Sequence, residues 1–126
     1  MNEGKICFFT DLYAWQEGHK LVLMIYDVTK IFPKEESYGL TNQLRRAAVS
    51  ITSNIAEGFT RMSYREKSNF YSMSNSSLTE VQNQLIISKD IAYLSEEKFE
   101  EIYNQTIIVH KLLNALIKKS KIIHNS

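Results

Sequence analysis

The sequence predicts an all-α protein, an antiparallel up-down-up-down four-helix bundle, and three observations predict it. Only one proline and four glycines punctuate 126 residues, too few for the frequent turns of a β-rich chain. Apolar residues recur at spacings of three and four along four long segments, the period of a helix with one buried face. The connections between these segments, around 32–37, 59–63 and 93–95, are short, and short links favour antiparallel neighbours.

A chain of this length with 44% hydrophobic residues suits one core, so residues 1–126 are expected to form one domain. Fifteen Lys and Arg against fourteen Asp and Glu leave a formal charge of +1. Nucleic-acid binding through bulk charge is thereby excluded, and any such binding must come from local clustering. The N-terminus lacks a basic stretch followed by an apolar run and a small-residue cleavage site, and no segment offers eighteen uninterrupted apolar residues. A cytoplasmic protein without a membrane contact is expected. The single Cys7 has no internal disulfide partner and reads as a free thiol.

The helices are expected at about 11–31, 38–58, 63–92 and 95–121. Thr10 or Asp11 can cap the first, and Pro33 ends it by pushing the preceding residue out of the helical region. In the second, Leu40, Leu44, Ala47, Ala48, Ile51 and Ile55 share one face, and Gly58 stands where a left-handed stop is wanted. Ser63-Tyr64-Arg65-Glu66 matches a capping box opening the third, which runs about 28 residues, or roughly 42 Å. The fourth starts at Ser95, carries Glu96, Glu97, Glu100 and Glu101 early and ends in Lys118, Lys119 and Lys121, a polarity that suits the helix dipole. Residues 1–9 and 122–126 are expected to lie outside the helices.

Phe99, Ile102, Thr106, Val109, Leu113 and Leu116 form a stripe that packs the fourth helix onto its neighbours. Ile107 and Ile108 project about 130° to either side of it, and Leu112 about 90° away. An apolar arc this wide calls for burial on several sides, either inside the monomer or against a second subunit, so self-association is expected.

Residues 39–58, GLTNQLRRAAVSITSNIAEG, mix small and polar residues into an apolar helix pattern. Arg46, Ser50, Ser53 and Glu57 recur at spacings of four, three and four and line a polar ridge, with Asn54 between ridge and core. Such a ridge either bonds to a neighbouring helix or binds a partner. Arg45 and Arg46 are adjacent in sequence but project about 100° apart, so they do not face one narrow target together.

With this run the sequence resembles the bacterial four-helix-bundle proteins called 23S rRNA intervening-sequence proteins. The resemblance spans nearly the whole chain. It is carried by Leu12, Trp15-Gln16, Phe32-Pro33 with Glu36, Tyr38-Gly39-Leu40, Gln43-Leu44-Arg45-Arg46-Ala47, Ser50-Ile51 and Ser53-Asn54-Ile55-Ala56-Glu57-Gly58. Ser77-Leu78, Glu80 and Leu85 continue it. Ser74 and Ser76 stand where the family typically has alanine and glycine; both are small, but a very close backbone contact at Ser76 is disfavoured. The resemblance implies a bundle that forms a ring-like homopentamer. Genes of this kind lie within intervening sequences of 23S rRNA genes and elsewhere. A related fold serves as the accessory protein of diversity-generating retroelements, beside nucleic acid and a reverse transcriptase. RNA binding follows by analogy only.

No Glu-x-x-His repeat is present for a carboxylate-bridged metal pair, and His19, His110 and His124 are too scattered for a zinc motif. Phosphate-binding glycine loops, dinucleotide fingerprints and a nucleophile elbow are equally missing from the sequence. No cofactor, metal site or enzymatic activity is therefore expected. The strongest chemical cluster is Arg61, Arg65 and Lys67 around the start of the third helix, with Tyr64 nearby to stack, where backbone N–H groups help hold a phosphate. Arg45, Arg46, Arg61, Arg65 and Lys67 are the candidate nucleic-acid-binding residues. In a cyclic oligomer, repetition around the ring multiplies weak contacts. The expected partners are other copies of the chain, with rRNA or another nucleic acid as ligand. The competing reading is a scaffold that recruits another protein.

Overall fold

The structure, a computed structural model, describes residues 5–125; residues 1–4 and 126, parts of the ends expected outside the helices, lie outside the described residues. Four helices account for most of the chain: α1 (Tyr13–Thr29), α2 (Leu40–Phe59), α3 (Tyr64–Asp90) and α4 (Glu96–Asn125). Short 3-10 turns at Phe9–Asp11 and Lys34–Glu36 precede α1 and α2. No strand occurs among the described residues.

Each helix packs on two others, α1 on α2 and α4, and α3 on α2 and α4. Leu21 and Ile25 of α1, Leu44, Ile51 and Ile55 of α2, Leu78 and Leu85 of α3, and Val109 and Leu113 of α4 meet in one hydrophobic core, all but fully buried. The contacts between neighbours follow a simple order. Gln43, Ser50 and Ile51 of α2 meet Gln84, Ser77 and Ser74 of α3, while Asn75, Gln82 and Lys89 of α3 meet Asn114, Thr106 and Phe99 of α4. Residue numbers rise on one helix as they fall on the next.

The helix ends show which local chemistry decides a boundary. Asp11 does not cap α1: its Oδ2 accepts from the backbone N–H groups of Cys7 and Phe8, at 2.9 and 3.1 Å, and so closes the preceding turn. Leu12 takes the N-cap position of α1 without a side-chain hydrogen bond. At the start of α2, Glu36 accepts from the Leu40 N–H through Oε1 and from the Tyr93 hydroxyl through Oε2. That bond, ahead of partial burial and the charges of Glu36 and Glu35, raises the Tyr93 phenol above its ordinary pKa. Ser63 caps α3 by accepting from the Glu66 N–H at 3.2 Å, and the Glu66 carboxylate meets the serine hydroxyl. Ser95 caps α4 through the Lys98 N–H. α4 continues to Asn125, past the expected end at 121, with half-buried Leu116 and Ile117 and buried Ser120 holding its last turns against the core.

Two glycine expectations change. Gly58 is not a left-handed stop but lies inside α2, where an added Cβ would sit 2.7 Å from Cε1 of Tyr71 and 3.0 Å from Cβ of Phe70. Close passage of α3, rather than backbone torsion, requires the glycine. The left-handed residue is Ala92, at φ 66°, just after α3; there Tyr93 N–H and Leu94 N–H both return to the Ser88 carbonyl. An alanine in this conformation costs about 1–2 kcal/mol.

Substitution at these two positions is expected to have opposite effects. Gly58→Ala, which elsewhere in a helix stabilises by about 1 kcal/mol, should destabilise by about 1–3 kcal/mol through overpacking against Tyr71. Ala92→Gly should stabilise by about 0.5–1 kcal/mol through relief of strain, partly offset by chain entropy. Urea unfolding followed by circular dichroism measures both.

Candidate nucleic-acid interface

The five basic residues singled out by the sequence are divided by the packing into held and free groups. Arg45 is held. Its Nε donates to the Thr29 hydroxyl at 2.9 Å and an Nη to the Tyr26 carbonyl at 3.3 Å, and its guanidinium lies 4.6 Å over the Tyr26 ring. The Thr29 hydroxyl in turn donates to the Ile25 carbonyl at 2.7 Å. Arg45 therefore ties α2 to the last turn of α1, whose carbonyls carry the negative end of the helix dipole. Arg46, about 100° further round, is exposed.

Lys67 is also held. Its ammonium donates to the carbonyls of Phe59 at 2.7 Å and Gly58 at 3.2 Å, and lies 5.4 Å from the centre of the Phe59 ring. It caps the C-terminus of α2 from the first turn of α3. Burial lowers its pKa, although these carbonyl contacts favour the charged form. Arg61 pairs with Glu57 at 3.2 Å and stacks 4.6 Å over Phe70, and its Nε is buried without a hydrogen-bond partner. With both side chains of the pair substantially exposed, the ion pair is worth at most about 1 kcal/mol. Arg65 is exposed in the first turn of α3, next to half-buried Tyr64. Arg61, Arg65 and Lys67 thus share the α2–α3 corner, while Arg45 belongs to the α1–α2 seam near the opposite end of α2.

The polar ridge on α2 turns its inner edge to α3. Ser50 and Ser77 hydroxyls lie 2.9 Å apart, and the Asn54 amide donates to the Ser50 carbonyl at 2.9 Å and hydroxyl at 3.1 Å. Buried Ser74 donates to the Ile51 carbonyl at 2.8 Å. Ser76 is exposed, so the close helix contact falls at Ser74, and the serine at 76 meets no crowded backbone. The outer edge of the ridge faces away from α3: Ser53 and Glu57, the latter paired with Arg61, line with Phe9, Ala56 and Thr60 an open hollow of about 320 Å³. His19 stacks on Trp15 at 4.8 Å, and His110 bonds with Asn75 and Asn114. Among the described residues no three His, Cys, Asp or Glu side chains gather into a group able to hold a metal ion.

Sequence reasoning missed the tethering roles of Arg45 and Lys67. The signal for Lys67 was its place four residues after the Ser63 cap, within reach of a helix end completed across a short turn. It also missed Gln105, whose buried amide donates to the Glu17 carbonyl and carboxylate and joins α4 to α1.

These four helices, with two of the five candidate cations fully free, define an all-α protein without strands among its described residues. The family model described as 23S rRNA-intervening sequence protein matches residues 10–115, and the chain belongs to that family. Among solved structures it is similar to a protein of unknown function from the S23 ribosomal protein family of Bacteroides thetaiotaomicron VPI-5482. The two are 21% identical with a TM-score of 0.76, over 83% of this chain and 95% of that one; the likeness concerns the fold. No curated protein matches the chain. No helix among the described residues is long and apolar enough to cross a membrane.

The held and free arginines should separate in stability measurements. Arg45→Ala is expected to lower unfolding free energy by about 1–3 kcal/mol, from its two hydrogen bonds and its stacking on Tyr26. Arg46→Ala should change it by less than about 0.5 kcal/mol, as at other exposed positions. Chemical denaturation of the two variants checks the difference.

Proposed function

We propose that this chain is a non-enzymatic, self-associating protein, an antiparallel four-helix bundle that forms a cyclic homo-oligomer and binds nucleic acid on its outer surface. The opposed residue order of the hydrogen-bonded pairs joining α2 to α3 and α3 to α4 supports the antiparallel arrangement. One observation carries the assembly. Ile107 and Ile108 lie in the middle of α4, beside fully buried Thr106 and Val109, yet are 36% and 43% exposed. Four helices leave them uncovered, and a neighbouring subunit is the natural cover for an apolar pair at mid-helix. A pentameric ring, as the family resemblance implies, would repeat each exposed cation five times and raise avidity without a strong charge on any one subunit.

Arg46 and Arg65 are the positions proposed to meet phosphate, since they are exposed; Arg45 and Lys67 act through the fold. Arg61 can contribute by exchanging Glu57 for a phosphate. The family description names the 23S rRNA intervening sequence, so a ribosomal RNA hairpin is the first ligand to try. The alternative reading, a scaffold for another protein, draws on the hollow between Phe9 and α2.

Sedimentation velocity on the full chain should give a single oligomer that Ile107→Asp/Ile108→Asp converts to monomer; a monomeric parent would contradict the assembly. Fluorescence anisotropy of the nuclease-treated protein against an rRNA hairpin and a duplex DNA should show saturable binding that weakens with salt. Arg46→Ala/Arg65→Ala should reduce the affinity about tenfold or more. No binding of either ligand at tens of micromolar protein, with a specific protein recovered after nuclease treatment, would favour the scaffold.

A further inference from the structure

The near-zero net charge conceals a sharp segregation along α4. Glu96, Glu97, Glu100 and Glu101 crowd its first two turns, whereas residues 102–126 contain Lys111, Lys118, Lys119 and Lys121 and no carboxylate. The helix dipole accounts for lysines in the last turns, but not for the absence of acid along the roughly four turns, residues 102–117, that precede them. On the outward side, Lys111, Asn114, Lys118 and Lys121 follow spacings of three, four and three, so they form one stripe. All four are exposed.

α3 presents a matching stripe. Arg65, Asn69, Ser72, Ser76, Thr79 and Asn83 recur at four, three, four, three and four, and every one is exposed. The stripe itself holds no carboxylate: Glu66 projects to the α2 side, and exposed Glu80 flanks it about 60° from its centre, on the side away from α4. The two stripes run side by side. Asn75 Nδ2 donates to Asn114 Oδ1 at 3.3 Å, His110 Nδ1 meets Asn75 Oδ1 at 3.3 Å, and Asn114 Nδ2 meets His110 Nε2 at 3.2 Å. This ring of three hydrogen bonds bridges the seam at mid-face.

We infer that the outer α3–α4 seam, from Arg65 and Lys121 to Thr79 and Lys111, is a docking surface for duplex RNA; it stops short of exposed Ile107, which continues the α4 stripe one turn beyond Lys111 and is left to the subunit contact proposed above. The inference rests on the nucleic-acid reading above and gives it a location and a class of partner. Charge complementarity selects a polyanion: cations at one end and along one edge, uncharged hydrogen-bonding groups between them, and no acid within either stripe, Glu80 lying on the flank away from α4. A second copy of the same face is disfavoured by its like charges. Neither stripe contains an aromatic residue, and Tyr64, beside Arg65, is half-buried, so the extended platform on which successive single-stranded bases stack is missing. What remains, lysines spread over about 15 Å of α4 beside a row of hydroxyls and amides, suits phosphates together with the 2′-hydroxyls of a shallow minor groove.

The test is anisotropy of the full-length protein with a labelled RNA duplex of about 20 base pairs, its DNA counterpart and its single RNA strand, across a salt series. Lys118→Ala/Lys121→Ala is compared with Lys30→Ala/Lys34→Ala, which removes the same charge from the other end of the bundle. The expected result is preference for the RNA duplex, at least about tenfold weaker binding by the α4 variant, and a salt slope reduced by about two. The Lys30/Lys34 variant should bind within about twofold of the parent. Asn114→Asp should also weaken RNA duplex binding, since it places a carboxylate at the centre of the face. Equal losses from both lysine pairs, or equal affinity for the DNA duplex, would overturn this surface or its ligand while leaving nucleic-acid binding in place. Loss on Arg46→Ala alone, with the α4 variant unaffected, would move the site to α2. Failure of all three probes to bind would overturn both readings.

Discussion

The close passage of α2 over α3 is the constraint on which the rest of the structure depends. At one end it needs Gly58, because the Tyr71 ring occupies the space a side chain would take. Midway, small hydroxyls replace bulk: Ser74 bonds to the Ile51 carbonyl, and Ser50 meets Ser77. Burial pushes the Tyr71 phenol up to about 12, so the ring beside Gly58 stays neutral even in alkaline solution where a free phenol ionises. With α2 fixed this tightly, its flanks are fixed too. Gly18 of α1 lies against Thr52, where an added Cβ would approach to 3.2 Å, and Lys67 reaches the carbonyls at the end of α2.

That rigidity sorts the basic residues by direction. Arg45 and Arg46 are neighbours in sequence, but α2 is clamped on both sides, so one is carried into the α1 seam and the other into solvent. The same geometry consumes Lys67 as a cap and leaves Arg65 outside. A basic dipeptide on a helix therefore says little about ligand binding until the helix's neighbours are known. The proposed nucleic-acid surface instead follows from where charge is left over after packing, chiefly on the outer sides of α3 and α4.

Much of the fold was legible because long helices leave strong periodic traces. The stripe from Leu40 to Ile55, the Ser63 cap and the Ser95 start all depend on local chemistry, and all appear where the pattern places them. Boundaries set by tertiary contact were not legible. Asp11 had a nearer pair of N–H groups to satisfy than those of α1, and Glu36 reaches across to Tyr93 from a turn with no helical pattern. Gly58 resembles a helix stop in sequence, and only the Tyr71 ring reveals its packing role. The candidate site was less readable still: a linear scan finds cations but not which of them a neighbouring helix will bind. The charge asymmetry of α4 was present in the sequence, though its meaning required the adjacent stripe on α3.

The chain has four arginines, Arg45, Arg46, Arg61 and Arg65, and one experiment reads their division directly. Limited phenylglyoxal modification of the native protein, with each site's rate measured by peptide mass spectrometry, compares their accessibility without mutation. The packing described predicts fast modification of Arg46 and Arg65, an intermediate rate at Arg61, and Arg45 slower than Arg46 by about tenfold. Equal rates at Arg45 and Arg46 would contradict the claim that close helix packing separates structural from available charge.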